Sequence, residues 1–132
     1  RGKLAVAYHS DMRRFAPDAQ IAAVTHRWGD YYTRRAQAVI DGNWQSGSVW
    51  GGVADGMIRV EAFGPKVPEA VRNEVNARQT EMAAGRIAVF ASPAGLKDNQ
   101  GKTVVEPGQR LTDAQIQTMN WLVEGVQGSV TR

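Results

Sequence analysis

The chain has 132 residues, 42% hydrophobic and 22% charged, with no cysteine and a formal net charge of +3. That is enough apolar material for the core of one domain, or of part of a larger one. It excludes disulfide and thiolate–metal frameworks, and no run approaches the ~20 apolar residues of a membrane-spanning helix.

The basic excess is small and sits in the first half: 9 Lys or Arg against 6 Asp or Glu in residues 1–66, then 7 against 7 in residues 67–132. A nucleic-acid footprint needs a clustered basic face. The densest pairs, Arg13-Arg14 and Arg34-Arg35, are too short to make one, so no nucleic-acid partner is expected. Residue 1 is Arg, and no charged-then-apolar leader opens the chain. It is therefore read as processed, truncated or part of a longer protein.

LAVAYH (4–9) is a short apolar run with β-branched and aromatic content, which predicts a buried strand. SDMRRFAPDAQ is turn-like and broken at Pro17, and IAAVTH (21–26) predicts a second buried strand. A helix is expected after Trp28, with Tyr32, Ala36, Val39 and Ile40 on one face and Gly42 ending it. Asp30 and Arg34 are spaced as an i,i+4 pair. VWGGVADGMIRVEAF (49–63) reads as extended segments around a glycine-rich bend.

Pro68 suits a first helical position. Val71, Val75 and Met82 share a face of a helix ending at Gly85, supported by Glu74 and Arg78. RIAVF (86–90) is a strand candidate, KDNQGK (97–102) a turn between extended pieces, and Pro107-Gly108 another turn. Thr112 and Gln115 fit a capping box, opening a helix with Ile116, Met119 and Val123 on one face and Gly125 as its stop. Strands alternating with helices predict an α/β chain, with an irregular strand, hairpin and helix extension from about residue 86.

Familiar catalytic motifs are missing. There is no G-x-S-x-G and no H-E-x-x-H. The GKT at 101–103 is not a phosphate loop, because position 96, where that loop needs Gly, is Leu. His9, Asp11, His26 and Asp30 could in principle gather round a divalent ion. Only His26 and Asp30 are four apart, and His26 is read at the end of a strand rather than on the helix that carries Asp30, so neither a metal nor another cofactor is expected.

The strand ends are more informative. In open α/β sheets, ligands bind at the carboxyl ends of parallel strands. YHSD puts His9 and Asp11 at the end of the first strand, and THRW puts His26 and Trp28 at the end of the second. If the strands are neighbours, Asp11 can accept hydrogen bonds from a ligand on which Trp28 offers a flat face. The competing reading is that Asp11 caps a turn and Trp28 fills a corner. Asp55, in the glycine-rich bend beside Trp50, is either a further polar contact or a turn residue before a glycine of positive φ.

YHSDM, VTHRWGDYYTRRAQAVIDGNW, VWGGVADGM, and GKTVVEPGQRLTDAQIQTMNWLVEGVQG, taken in order, resemble the C-terminal part of the BMP family. These are the basic membrane protein-like substrate-binding proteins of bacterial ABC transporters. The resemblance implies part of a two-lobed type I periplasmic-binding-protein fold. Residues 1–28 would end the second lobe and form a hinge strand, and residues 29–132 would return to the first lobe and carry the extension.

It also implies a receptor with no catalytic step. The receptor would bind a purine base or nucleoside in an interlobe cleft and present it to an ABC transporter permease. The setting would be periplasmic or at the cell envelope, often as a lipoprotein. Asp11, Trp28 and Asp55 would face the ligand, supported by His9 and His26. His9 and Trp28 depart from the family's nucleoside-binding pattern, which leaves a free base or another small ligand open. A ligand-sensing regulatory domain of the same fold is the alternative.

Overall fold

The computed structural model describes residues 2–130. The chain is mixed α/β. Its elements are β1 (Ala5–His9), β2 (Gln20–His26), α1 (Trp28–Ile40), β3 (Ile58–Glu61), α2 (Glu69–Ala83), β4 (Leu96–Lys97), β5 (Thr103–Val105) and α3 (Asp113–Gln117). They divide into two compact units, residues 1–86 and 87–132.

The first unit is built on β2. The sheet order is β1-β2-β3, with β1 parallel and β3 antiparallel to β2. Ala22 and Ala23, in the middle of this central strand, are buried. Two further backbone bonds lengthen the β2–β3 ladder: Arg27 N–H donates to Met57, and Gly64 N–H donates to Ile21. Gly64 lies so close to the Gln20 carbonyl that a Cβ at this position would collide with it.

β1 forms where expected, but it is largely exposed rather than buried. The expected burial fails because β1 is the edge of the sheet and no described element covers it. Of residues 49–63, only 58–61 are strand. Residues 52–57 form a turn in which Met57 and Ile58 N–H both reach the Gly52 carbonyl.

α1 starts and stops where the sequence says. Gly42 takes φ +68, and the N–H groups of Gly42 and Asn43 donate to Val39 and Ala38, which closes the helix with a Schellman motif. Its apolar face is not buried. Tyr32, Val39 and Ile40 are exposed, Ile40 at 77%, and past its first turn the helix packs on no other described element. Asp30 and Arg34 do not form the expected pair. The adjacent Arg35 instead lies over the Tyr31 ring at 5.2 Å.

α2 ends in the same way at Gly85, and Glu74 and Arg78 approach to 3.8 Å as expected. Pro68 is the N-cap rather than the first helical residue. Val71 is exposed, and the face turned to the sheet includes polar groups. The Gln79 amide accepts from Val60 N–H at 2.7 Å and donates to its carbonyl at 3.0 Å, which fastens α2 to β3. Arg72 donates to the carbonyls of Val67 and Gly64.

In the second unit β4 and β5 form the expected hairpin. Buried Asp98 accepts the N–H groups of Gln100 and Lys102, so GKT lies in a capped turn. Residues 86–90 are not a strand. The chain pairs only at Ala91, in a single bridge to Arg110. The Thr112–Gln115 capping box is present, but α3 stops at Gln117 instead of continuing to Gly125. Val123 is drawn into a bridge with Asp98, and Asn99 holds the carbonyls of Val126 and Gly128. No described helix is long and apolar enough to cross a membrane.

Replacing Gly64 by Ala forces the β2–β3 ladder apart at the Gln20 carbonyl. The expected loss is about 1–3 kcal/mol, the usual cost of overpacking. Urea unfolding of Gly64→Ala beside the parent protein measures it.

Candidate functional site

β1 and β2 are parallel and in register from Val6↔Ala22 to His9↔Thr25. Their carboxyl ends therefore lie side by side, and the residues that leave them meet. His9 ends β1 with φ +69, a left-handed conformation that few residues other than Gly, Asn, Asp and His adopt. This turns its ring to His26 at the end of β2. The two Nδ1 atoms are 2.9 Å apart and the ring centroids 4.5 Å apart. One ring must donate and the other accept.

Aromatic contacts continue in both directions. Tyr8 lies 3.8 Å from the His9 ring. Trp28, first residue of α1, is nearly parallel to His26, at 5.5 Å and 7°. Tyr32, one turn along α1, is stacked on Trp28 at 5.8 Å and 22°, and Tyr31 meets Trp28 edge-on at 5.9 Å. The three Trp28 contacts have the offset and edge-to-face separations aromatic rings prefer. Trp28 remains 43% exposed and Tyr8 71%. A stripe of ring surface thus runs along the ends of the two parallel strands and onto α1.

Asp11 is two residues beyond His9, and its hydrogen bonds lead elsewhere. Arg13 grips it with Nε at 3.0 Å from both carboxylate oxygens and Nη2 at 2.7 Å from Oδ2. The Arg13 N–H donates to Oδ1, as does Gln20 Nε2, both at 3.0 Å. The Gln20 side chain also accepts from Met12 N–H and donates to the Ala62 carbonyl, at 2.7 and 2.8 Å. Gln20 is 3% exposed, so this amide is a buried and saturated fastening for the loop between β1 and β2.

The Arg13 side chain, then the Arg13 N–H, hold the Asp11 carboxyl well below the usual carboxylate range, with Gln20 adding to them. The same pairing raises Arg13.

Asp55 accepts from Gly52 N–H at 2.8 Å and precedes Gly56 at φ +69. It is built into its own turn. The fold thus brings His9, His26 and Trp28 together, while the hydrogen bonds of Asp11 and Asp55 go to their own loops. Spacing alone did not single out Tyr8, Gln20 or Arg13. Tyr8 reads as an ordinary strand aromatic, and Gln20 finds its partners only when β3 is in place.

No protein-family model matches the chain. A curated purine-binding protein of Brucella abortus is 34% identical over 126 residues, which is 96% of this chain and 35% of that protein. A putative ABC transporter glucose-binding protein of Haloferax volcanii is 23% identical over 93% of this chain and 28% of its own length. The chain spans about a third of the length of these relatives. A solved structure described as a transcriptional activator of the comK gene from Bacillus halodurans matches with a TM-score of 0.56 at 19% identity, over 65% of this chain and 30% of that one. A likeness at that identity concerns the fold alone. The chain is thus similar to part of two proteins that both carry the name of a solute-binding protein rather than of an enzyme.

A carboxylate held below its ordinary pKa contributes at pH values above that ordinary value. It loses its contribution as pH falls through the lowered one. The Asp11–Arg13 grip is therefore expected to be intact in mild acid. Carbon-detected NMR titration of the Asp11 carboxyl should give a midpoint below that of an unpaired aspartate, and Arg13→Ala should move it up.

Proposed function

We propose that this chain forms part of the ligand cleft of a solute-binding receptor, and that the ligand is a purine base or nucleoside. The observation that carries the reading is the ring stripe at the carboxyl ends of β1 and β2. A flat heteroaromatic ring gains most from such a surface, and stacking of a base on an aromatic side chain is worth about 1–3 kcal/mol. The similarity to the Brucella purine-binding protein supports the same ligand class.

In this reading Trp28 stacks on or walls the purine, and His9 and His26 support it. Asp11 hydrogen-bonds a ring N–H or hydroxyl. Its oxygens are already shared among Arg13 and Gln20, so the Arg13 side chain swings aside as the ligand enters. Asp55 is a secondary contact that first releases the Gly52 N–H.

Residues 1–28 end one lobe and form a hinge strand, and residues 29–132 belong to the other lobe and its extension. The exposed apolar face of α1 then has the remainder of that lobe to meet. A ligand lying against the crossing from β2 into α1 couples to both lobes, and closure about such a hinge is the usual switch. The closed receptor delivers its ligand to an ABC transporter permease from the periplasm or cell envelope, where a lipid anchor outside this chain would hold it.

Isothermal titration calorimetry of the protein at its full natural length tests the reading, with adenine, hypoxanthine, adenosine, guanosine and glucose as ligands. Saturable one-to-one binding of a purine is expected. Trp28→Ala should weaken it by about 1–3 kcal/mol, through lost stacking. Asp11→Ala should weaken it by about 1–3 kcal/mol, through the unmade polar contact. Glucose binding without purine binding, or unchanged purine affinity in Trp28→Ala, would overturn the proposal.

A further inference from the structure

The sequence spacing of His9 and His26 shows no metal-binding pattern, but the fold brings their Nδ1 atoms to 2.9 Å. The geometry points to a two-histidine chelate for a first-row divalent cation of the zinc–copper kind, with His9 Nδ1 and His26 Nδ1 as its two protein donors. Two nitrogens each bound about 2.0–2.1 Å from one ion are about 2.9 Å apart at a right angle and about 3.3 Å apart at a tetrahedral one. The observed separation equals that of the right-angled arrangement and needs a small opening for the tetrahedral one; in either case the rings, which now face each other in a hydrogen bond, turn so that both Nδ1 atoms aim at the ion.

Three features favour the pair as a chelate over two independent rings. The backbones that carry them are pinned by the β1–β2 ladder, where His9 lies opposite Thr25. The left-handed backbone of His9 aims its ring at His26 in advance of any ion. The contact is also exposed, so an ion reaches it from solvent. Imidazole suits zinc, copper and nickel better than calcium or magnesium, and copper should bind most tightly on the general affinity order.

Binding needs no net loss of a proton from the pair. The ring that now donates its Nδ1–H passes to the Nε2–H tautomer through solvent. One hydrogen bond and the metal–water bonds that the two rings displace are given up, and two nitrogen–metal bonds form.

No cluster of three or more His, Cys, Asp or Glu able to hold a metal exists among the described residues. The remaining coordination positions therefore fall to water or to a small ligand with a nitrogen or oxygen donor. An ion with open positions beside Trp28 and Tyr8 differs in kind from a closed structural site. The inference does not rest on the purine reading, and its test contains no purine.

Tag-free protein of full natural length is titrated with Zn2+ and with Cu2+ by calorimetry. His9→Asn, His26→Gln and the double variant are titrated alongside; Asn is chosen at position 9 because it tolerates the left-handed backbone. Binding of one ion per chain is expected, with Cu2+ tighter than Zn2+. Each single variant should lose an order of magnitude or more in affinity, and the double variant little beyond that.

A second readout needs no variant. On adding Zn2+, the 15N resonances of both Nδ1 atoms should shift together in long-range histidine spectra. Equal binding by the parent and the double variant, movement of only one ring, or movement at Nε2 instead of Nδ1 would each overturn the chelate.

Discussion

Strand β2 is hydrogen-bonded along both edges, to β1 in parallel and to β3 in antiparallel, and the geometry of the ring stripe follows from that pairing. Parallel alignment puts both carboxyl ends on the same side. Register then decides which side chains meet there. A slip of one residue would turn every β1 side chain to the other face, and His9 would no longer reach His26. Trp28 follows β2 after one linking residue, so its place is also inherited from this strand.

The interior of this unit is held as much by amides and backbone as by apolar contact. Ala22 and Ala23 are its buried hydrophobic residues among those described, and two methyl groups contribute little at ~25 cal/mol per Å2 of apolar surface. Around them stand polar fastenings. Gln20 joins the β1–β2 loop to Ala62, and Gln79 joins α2 to β3. Lys66 reaches the Asp18 carbonyl. Each such bond is worth about 0.5–1.5 kcal/mol net, but removing one partner of a buried bond costs more, about 1–3 kcal/mol. Such an interior depends on position more than on volume. Meanwhile large apolar groups such as Phe15, Val39 and Ile40 face outward.

What was legible in the sequence was local. The glycines after α1 and α2, the capping box at Thr112 and the apolar runs of β1 and β2 all encode structure within a few residues, and they fall where expected. What was not legible depended on distant partners. RIAVF has strand composition but gains only the Ala91 bridge. The apolar faces of β1 and α1 follow the expected periods, yet periodicity cannot say whether a covering element exists. Likewise, the residues round His26 suggested a ligand surface. The near contact with His9 could be seen only once the two strands were aligned.

The two edges of the sheet are protected unequally. On β3 three outward groups are taken: Ile58 N–H turns back to Gly52, and Val60 gives both its N–H and its carbonyl to Gln79. A strand from another molecule finds little template there. β1 has no comparable cover among the described residues, and it presents Leu4, Val6 and Tyr8 at alternate positions. Strand-to-strand self-association of this unit, with β1 as its open edge, would therefore join β1 to β1 of a second copy and end there instead of propagating.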